Sequence, residues 1–563
     1  MRTVSKKISS FLLIFGSILF LGACSTIDNT SKTNQQTETT KPKIYEPKAN
    51  PEAGQISSYD HEPLEKQAEK EKELRAEYEK DSYSLDKPFI KLDPYDAAPL
   101  SALIMFETEE PVSIQLSVGS QRDDNAIIKS FENEKTKHEL PVLGLYPDEE
   151  NKVTIQTTNS KGKTREATVT IKTDPIPHDF MVTELITAQP KKMKSGLTFI
   201  IPASGKLYAV DSNAEVRWYS SIHNRNIFDL VEDGHYLQTA YVDEDEANSL
   251  LMERDFLGKL YNAYHIDIEG YDSTNLLHHD VVEMPSGNLL ATTHGQNSEY
   301  KEDHMHEIDR ETGETTQEID VREIMPEKAS TEYDGKNADV NDWLHQNAIW
   351  PDDNGRSILV SGRSQDAILK LSYPKGEINW ILAANEDWPE DYEDKLLKPI
   401  GEVDFPAGQH AVKAIDQSKD GSQKGIEDII LFDNNNVITR GDKDKSKQYS
   451  QAIRYRINEK EMTVEQVWDY GKERGKEFHS PIVGNVQYLY GQDNILITSG
   501  AIKEKKHESK NYGKVVEVDA LDDDSTELFE LDVYGRGSQA SSYVYRSYRY
   551  PIYPKNWSYK LSE

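Results

Sequence analysis

From residue 86 to the C-terminus, apolar and polar positions alternate with a period of two, and turn residues interrupt the alternation at short intervals. Over 86–177 the strand-like runs are Ser101–Thr108, Val112–Val118, Val153–Thr158 and Ala167–Thr173. Pro147-Asp148 and Ser160-Lys161-Gly162 act as turns between them. Short alternating strands on this scale predict a small β-sandwich of immunoglobulin or fibronectin type, bounded by Pro175-Ile176-Pro177. The remainder, 178–563, repeats a unit made of one apolar run followed by one hairpin. The runs begin at Gly196, Gly234, Gly287, Arg356, Asp428 and Asn494. The hairpins cover 206–218, 252–266, 306–321, 367–381, 452–468 and 514–533. Their turns, such as Asp211-Ser212-Asn213, Glu311-Thr312-Gly313 and Pro374-Lys375-Gly376, are of hairpin type. Trp218, Trp380 and Trp468 close three hairpins and suit packing between stacked sheets. Six units in strict alternation predict an all-β chain, a six-bladed β-propeller preceded by the sandwich. A pair of large sandwiches is the alternative, but it does not call for six matching units.

The first 85 residues lack this pattern. Arg2, Lys6 and Lys7 precede a short apolar run, Ile8–Phe20, and then Leu21-Gly22-Ala23-Cys24. The segment resembles a bacterial lipoprotein signal, cleaved after residue 23, with Cys24 diacylated. A plain transmembrane anchor is the competing reading, disfavoured because the run is short and broken by Ser and Gly. A lipidated Cys24 predicts a protein held to the cell membrane and working on its extracytoplasmic face. Residues 24–60 are polar and poor in large apolar side chains, which predicts a disordered tether. Residues 61–85 form a charged linker with a solvated helix over 62–81, whose apolar face is thin: Leu64, Ala68 and Leu74.

Composition narrows the chemistry. There are 65 basic against 99 acidic residues, a net charge of −34, and no local basic patch, so nucleic-acid binding is not expected. Cys24 is the sole cysteine, which excludes an internal disulfide, a cysteine-based zinc site and a cysteine nucleophile. Outside the membrane, activated nucleotide donors are scarce, and no phosphate-binding glycine loop is present.

In a propeller the innermost strand of each blade precedes the runs named above. That position holds Leu277-His278-His279-Asp280, Leu344-His345-Gln346-Asn347 and Gly408-Gln409-His410-Ala411 in three consecutive units, so these histidines converge at one mouth of the channel. His345 and Asn347, two residues apart, face the same way on a regular strand. His279 is favoured over His278 as the channel-facing residue. Arg363 follows the next run of its unit, and Thr498 ends the sixth. The Tyr-rich stretch 543–553 packs or closes the ring, and His294, His304 and His306 near turns read as surface residues. Three histidines could hold a metal with an open position. With an arginine and an amide they could equally cradle a tetrahedral oxyanion, one as nucleophile and another as general acid. Spacing alone leaves both readings open, along with a non-catalytic surface propeller.

The motifs His278-His279-Asp280, Trp343–Asn347, Ser361-Gly362-Arg363, Gly408-Gln409-His410 and Met462–Gly471 resemble the aryl-sulfate sulfotransferases. The likeness runs over 178–563, and 86–175 resembles the family's small N-terminal domain. The resemblance implies a six-bladed propeller that needs no metal and no phosphoadenosine phosphosulfate. It implies ping-pong transfer of a sulfuryl group from a phenolic sulfate ester to a phenol through a transiently sulfated histidine. That nucleophile maps onto His410. His279, His345, Asn347 and Arg363 map onto the sulfate-binding and acid/base set, with His278 and Thr498 as further substrate-binding matches. No cofactor is implied, and a homodimer is compatible with it. Some members carry a disulfide near the site; here the loop from Asp387 to Gly408 must be held by packing alone.

Overall fold

The computed structural model describes residues 44–119, 125–241, 247–271, 276–331, 341–386, 388–415, 425–440, 444, 446–504, 506, 509–520 and 525–562. Within them the protein is all-β, with α-helix at Glu62–Tyr78 and a five-residue turn of helix at Glu327–Thr331. Residues 89–172 form one hydrogen-bonded sheet around the long strand Ser101–Gly119, which pairs with Phe89–Leu92, Ile127–Leu143 and Glu150–Asn159. Register shifts between Glu107 and Val112 bend that strand. It thereby serves two pairing surfaces, and its Leu116 and Val118 are buried with Val153 and Ile155 of the neighbouring strand.

Six further sheets follow among the described residues, antiparallel except where Lys398–Pro399 runs parallel to 463–470. Sheet I joins 544–550, 197–202, 205–210 and 216–224. Sheet II joins 229–230, 236–241, 247–254 and 260–266. Sheet III joins 277–283, 289–293, 304–308 and 315–320. Sheet IV joins 346–352, 357–362, 367–372 and 378–382. Sheet V joins 410–415, 426–433, 451–458 and 463–470. Sheet VI joins 485–489, 494–502, 512–519 and 527–534. Every run and hairpin expected from the sequence corresponds to a strand or strand pair here. Apolar layers lie between consecutive sheets. Trp218 packs among Phe199, Tyr236 and Phe256 between sheets I and II, and Trp380 among Leu359, Val412, Ile429 and Tyr455 between IV and V. The first strands of III, IV, V and VI lie side by side in that order, and the first strand of VI lies against 544–550. The C-terminal Tyr-rich stretch therefore supplies the inner strand of sheet I, and 182–188 adds an outer strand to sheet VI beside 527–534, a propeller-like closure.

Two expectations for the N-terminal region need correction. Of the expected tether, residues 44–60 run along the outer edges of the sheets: Tyr45 N donates to Asn354 O and Asn50 N to Thr316 O, and Ser57–Tyr59 adds a strand to 264–266. Backbone pairing to an open sheet edge needs few apolar side chains, so polar composition concealed it. Residues 24–43, with Cys24 and the signal segment, lie outside the described residues. The helix forms as expected, at Glu62–Tyr78 with most residues at least partly exposed to solvent, but one face is docked rather than free. Gln67 exchanges hydrogen bonds with the backbone N and O of Leu260, and buried Glu71 holds Lys259 Nζ at 2.9 Å and the Tyr95 hydroxyl at 2.6 Å. No described helix is long and apolar enough to cross a membrane.

Candidate functional site

The inner strands of sheets III, IV and V share an irregularity where their histidines sit. Pairing slips between Leu277 and Val281, between Gln346 and Ala348, and between His410 and Lys413. His279, His345 and Ala411 take left-handed backbone angles, with φ of 57°, 51° and 59°. A bulge breaks the two-residue alternation and re-aims the side chain at the rim.

The three histidines occupy different electrostatic settings. His279 and His345 lie 4.7 Å apart by ring centroid, joined by the Glu302 carboxylate at 3.0 Å from His279 Nε2 and 2.8 Å from His345 Nδ1. The Tyr545 hydroxyl bonds His279 Nδ1 at 2.7 Å, and Asp342 Oδ2 lies 2.7 Å from His345 Nδ1. Burial works against charge on His345, but the Glu302 and Asp342 carboxylates outweigh it and hold the imidazolium to about 9. Burial lowers His279 despite Glu302, and the neighbouring His345 lowers it further. Glu302 itself stays ionised: burial opposes this, but the histidine charges hold it well below the usual range. One neutral and one cationic imidazole thus share a carboxylate, the arrangement in which paired groups divide acid and base roles.

His410 is buried, and its Nδ1 lies 2.7 Å from Asn434 Oδ1. The Asn434 amide nitrogen donates to Ser480 O at 2.7 Å and Val483 O at 2.9 Å, so its oxygen must face the imidazole. Nδ1 therefore carries the proton and Nε2 the free lone pair. Desolvation first, then the charge on Arg363, keep the ring neutral, well below its ordinary titration range. Among the described residues, no carboxylate pairs with the Arg363 guanidinium, which leaves its donor fork available to a ligand.

The support beneath His410 answers how the loop is held without a disulfide. Asp366 accepts backbone N–H groups from Gly408, Ile438, Thr439 and Arg440 at 2.6–3.1 Å, and Ala407 N donates to Asp433. Gly408 has φ of 62°, and a Cβ there would stand 2.8 Å from Asn436 O, so only glycine allows the approach. Carboxylate–backbone bonds add to the packing that was expected alone.

The remaining sequence candidates are placed as follows. Asn347 is fully buried, and its amide nitrogen donates to Gln409 O at 2.7 Å, bracing the residue before His410. The bulge removes the shared facing with His345 that regular alternation predicted. His278 is buried behind His279, 5.0 Å from the His294 ring by centroid. Thr498 is buried, with its hydroxyl on Ser547 Oγ. His294, His304 and His306 are not surface residues as expected: they are 3%, 5% and 0% exposed, the latter two within the strand 304–308. Sequence reasoning passed over Glu302, Asp342, Asn434 and Tyr545. Acidic and amide residues in a chain this acidic carry no signal of their own, and only the fold brings them to the histidines.

Comparison with known proteins agrees with this picture. The sequence model of the arylsulfotransferase (ASST) family matches residues 182–546, and that of the arylsulfotransferase Ig-like domain matches 89–174. Arylsulfate sulfotransferase AssT of Escherichia coli O6:H1 is 24% identical over 544 residues, covering 76% of this chain and 87% of that protein. The AssT of Lelliottia amnigena is 24% identical over 546 residues, covering 76% and 88%. Among solved structures, the periplasmic gluconolactonase PpgL of Pseudomonas aeruginosa aligns at a TM-score of 0.30 and 12% identity, over 77% of this chain and 99% of that one, too distant to add to the argument. With both of its domains matched in order, this chain belongs to the arylsulfotransferase family.

Proposed function

We propose that the protein is an aryl-sulfate sulfotransferase that carries the sulfuryl group on His410 by ping-pong chemistry, built on a six-bladed propeller. The observation that carries this reading is the neutral His410 imidazole, its Nε2 lone pair fixed by Asn434 beside the Arg363 guanidinium, which pairs with no carboxylate among the described residues. Arg363 takes two sulfuryl oxygens of a phenolic sulfate in its planar fork. His410 Nε2 attacks sulfur as the bond from sulfur to the phenolic oxygen breaks, and the cationic His345 gives that oxygen its proton. Asn434 Oδ1 accepts from Nδ1–H throughout and stabilises the positive ring of the N-sulfo intermediate. In the second half-reaction the acceptor phenol gives its proton to the now neutral His345 and takes the sulfuryl group from nitrogen. The step so drawn draws on no metal and no nucleotide. Lipidation at Cys24 would hold the enzyme at the outer face of the cell membrane, facing phenols and phenolic sulfates.

Brief incubation with an aryl sulfate and no acceptor tests the covalent step. The expected result is one acid-labile sulfuryl group on the peptide containing His410, absent in His410→Asn. No adduct, with single-displacement kinetics, would overturn the assignment.

A further inference from the structure

We propose that sheet III carries a second site, for one divalent transition-metal cation, formed by His304, His306, Glu318 and Asp320. His304 and His306 are two residues apart on the strand 304–308. Glu318 and Asp320 are two apart on the neighbouring strand 315–320. The register pairs His304 directly with Asp320 and His306 with Glu318, so all four side chains leave one face of the ladder.

Three donor–donor pairs of the set stand near the spacing of a coordination shell, and side-chain rotation would close the remainder around an ion. His304 Nε2 lies 3.5 Å from Asp320 Oδ2 and 3.9 Å from Glu318 Oε1, and His306 Nε2 lies 3.5 Å from the same Glu318 oxygen. Around a tetrahedral ion with ligands at about 2.0–2.1 Å, neighbouring donors stand a little over 3 Å apart. His306 supplies the independent sign of a missing ligand. It is fully buried, its Nδ1 is engaged by Thr293 Oγ1 at 2.7 Å, and its Nε2 has no hydrogen-bond partner. This buried imidazole nitrogen makes no hydrogen bond and stands 3.5 Å from a carboxylate oxygen, near the spacing of two donors on one tetrahedral ion.

The surroundings have the character of a metal's outer shell. Asp303 Oδ1 accepts from His304 Nδ1 at 2.8 Å, which turns the bare Nε2 towards the carboxylates. The other oxygen of Glu318 accepts Gly54 N at 2.8 Å, so the N-terminal strap is tied to the same residue. Asp303, Glu318 and Asp320 against Arg322, 3.3 Å from Asp320, leave a formal double negative charge that a divalent cation neutralises. The site opens to a cleft of about 600 Å³ bordered by Gln296, Asn297, Glu299 and Glu52, which gives an entry path. Two imidazoles with two carboxylates select zinc and its transition-metal neighbours over calcium or magnesium, which prefer oxygen alone. The other close His/carboxylate groups are already engaged: Glu302 holds His279 and His345, and Glu253 is held by Arg310.

The test uses the full mature chain, stripped with chelator and titrated with Zn²⁺ by calorimetry and with Co²⁺ by visible absorption. The expected result is one equivalent of tight binding and a ligand-field spectrum of nitrogen–oxygen coordination. Asp320→Asn and Glu318→Gln are near-isosteric changes at partly exposed side chains. Each should weaken Zn²⁺ binding by at least about tenfold, since even an orienting partner is worth about 10–100-fold. No stoichiometric binding by the wild type overturns the proposal. Wild-type affinity in both variants also overturns it, because the metal would then sit elsewhere, as at the Glu302 histidines. The wild-type Co²⁺ spectrum stands independently of whether the variants fold: a spectrum of oxygen ligands alone rules the imidazoles out.

Discussion

Replacing Glu302 by glutamine keeps the shape of the side chain that bridges His279 and His345 and removes only its charge. His345 titrates at about 9 against an ordinary 6.5, although its burial alone would pull it the other way. At 1.36 kcal/mol per pKa unit, that displacement is about 3 kcal/mol of preference for the imidazolium. Loss of one carboxylate at 2.8 Å lowers a neighbouring pKa by about 1–3 units. Asp342 remains, so the variant's His345 should titrate between about 6 and 8. If His345 must be protonated to release the phenol, kcat/KM falls on the alkaline side as it loses its proton. The assay is phenol release from a chromogenic aryl sulfate between about pH 5 and pH 10. The wild type should hold its rate to near pH 9, and Glu302→Gln should lose it one or more units earlier. Stability moves with the same sign. A group whose pKa is raised by folding contributes fully below its unfolded value of 6.5 and loses that contribution as pH rises through about 9, so the wild type's melting-temperature advantage should narrow over that interval. Superimposable rate profiles would refute the assignment of His345 as the acid.

Arg363→Lys should lower the turnover rate by at least about 10²-fold, because a point charge cannot reproduce the fork, and near-normal steady-state kinetics would move the sulfuryl pocket elsewhere. Asn434→Ala frees the His410 tautomer. It should cut the rate of donor-only sulfation by about 10²–10⁴-fold, as when a histidine loses the group that orients it, while the donor still binds; an unchanged single-turnover rate would contradict the role given to Asn434. Cys24→Ser should leave the precursor uncleaved and abolish fatty-acid labelling, and labelling that persists would sink the lipid anchor.

The strand pattern and the three histidine motifs could be read from residue order because both are local. Gly196-Leu197 through Ile201 and Asn494 through Thr498 announce strands by alternation, and each became one. Facing was harder. Regular alternation placed Asn347 beside His345 and left His278 competing with His279. The bulges at these positions cancel the alternation: His279 enters the cluster, His278 stays behind it, and Asn347 turns into the core. The partners Glu302, Asp342, Asn434 and Tyr545 were illegible for another reason. Tyr545 is 266 residues from His279, and only the return of the C-terminal strand to sheet I brings it there. His304 and His306 were misread because their turn-like neighbours suggested exposure. The informative signal was the matched spacing of His304-Met305-His306 and Glu318-Ile319-Asp320, visible only once the two strands are paired in register.

The shared irregularity of the three inner strands explains how adjacent sheets, rather than one loop, bring the histidine cluster together. A regular strand sends every second side chain into the packed channel, where it meets Asp280, Arg546 or Lys413. Arg546 bonds the Asp280 carboxylate at 2.6 Å and Asn347 O at 2.9 Å, fastening sheets I, III and IV together below the rim. Imidazoles placed in that layer would be locked into structural pairs. A left-handed residue at the start of each inner strand lifts the side chain out of this layer while the strand continues unbroken beneath it. Each such residue costs about 1–3 kcal/mol in backbone strain. The cost is offset locally: Glu302 grips the two strained histidines, and Asp366 and Asp433 hold the backbone around strained Ala411 through Gly408 and Ala407. The carboxylates that set the charges of the site are therefore also what keeps its geometry. A truncation at Glu302 would alter pKa and position together, where glutamine removes the charge and keeps the shape. Asn434 likewise fixes the proton of His410 while bracing Ser480 and Val483.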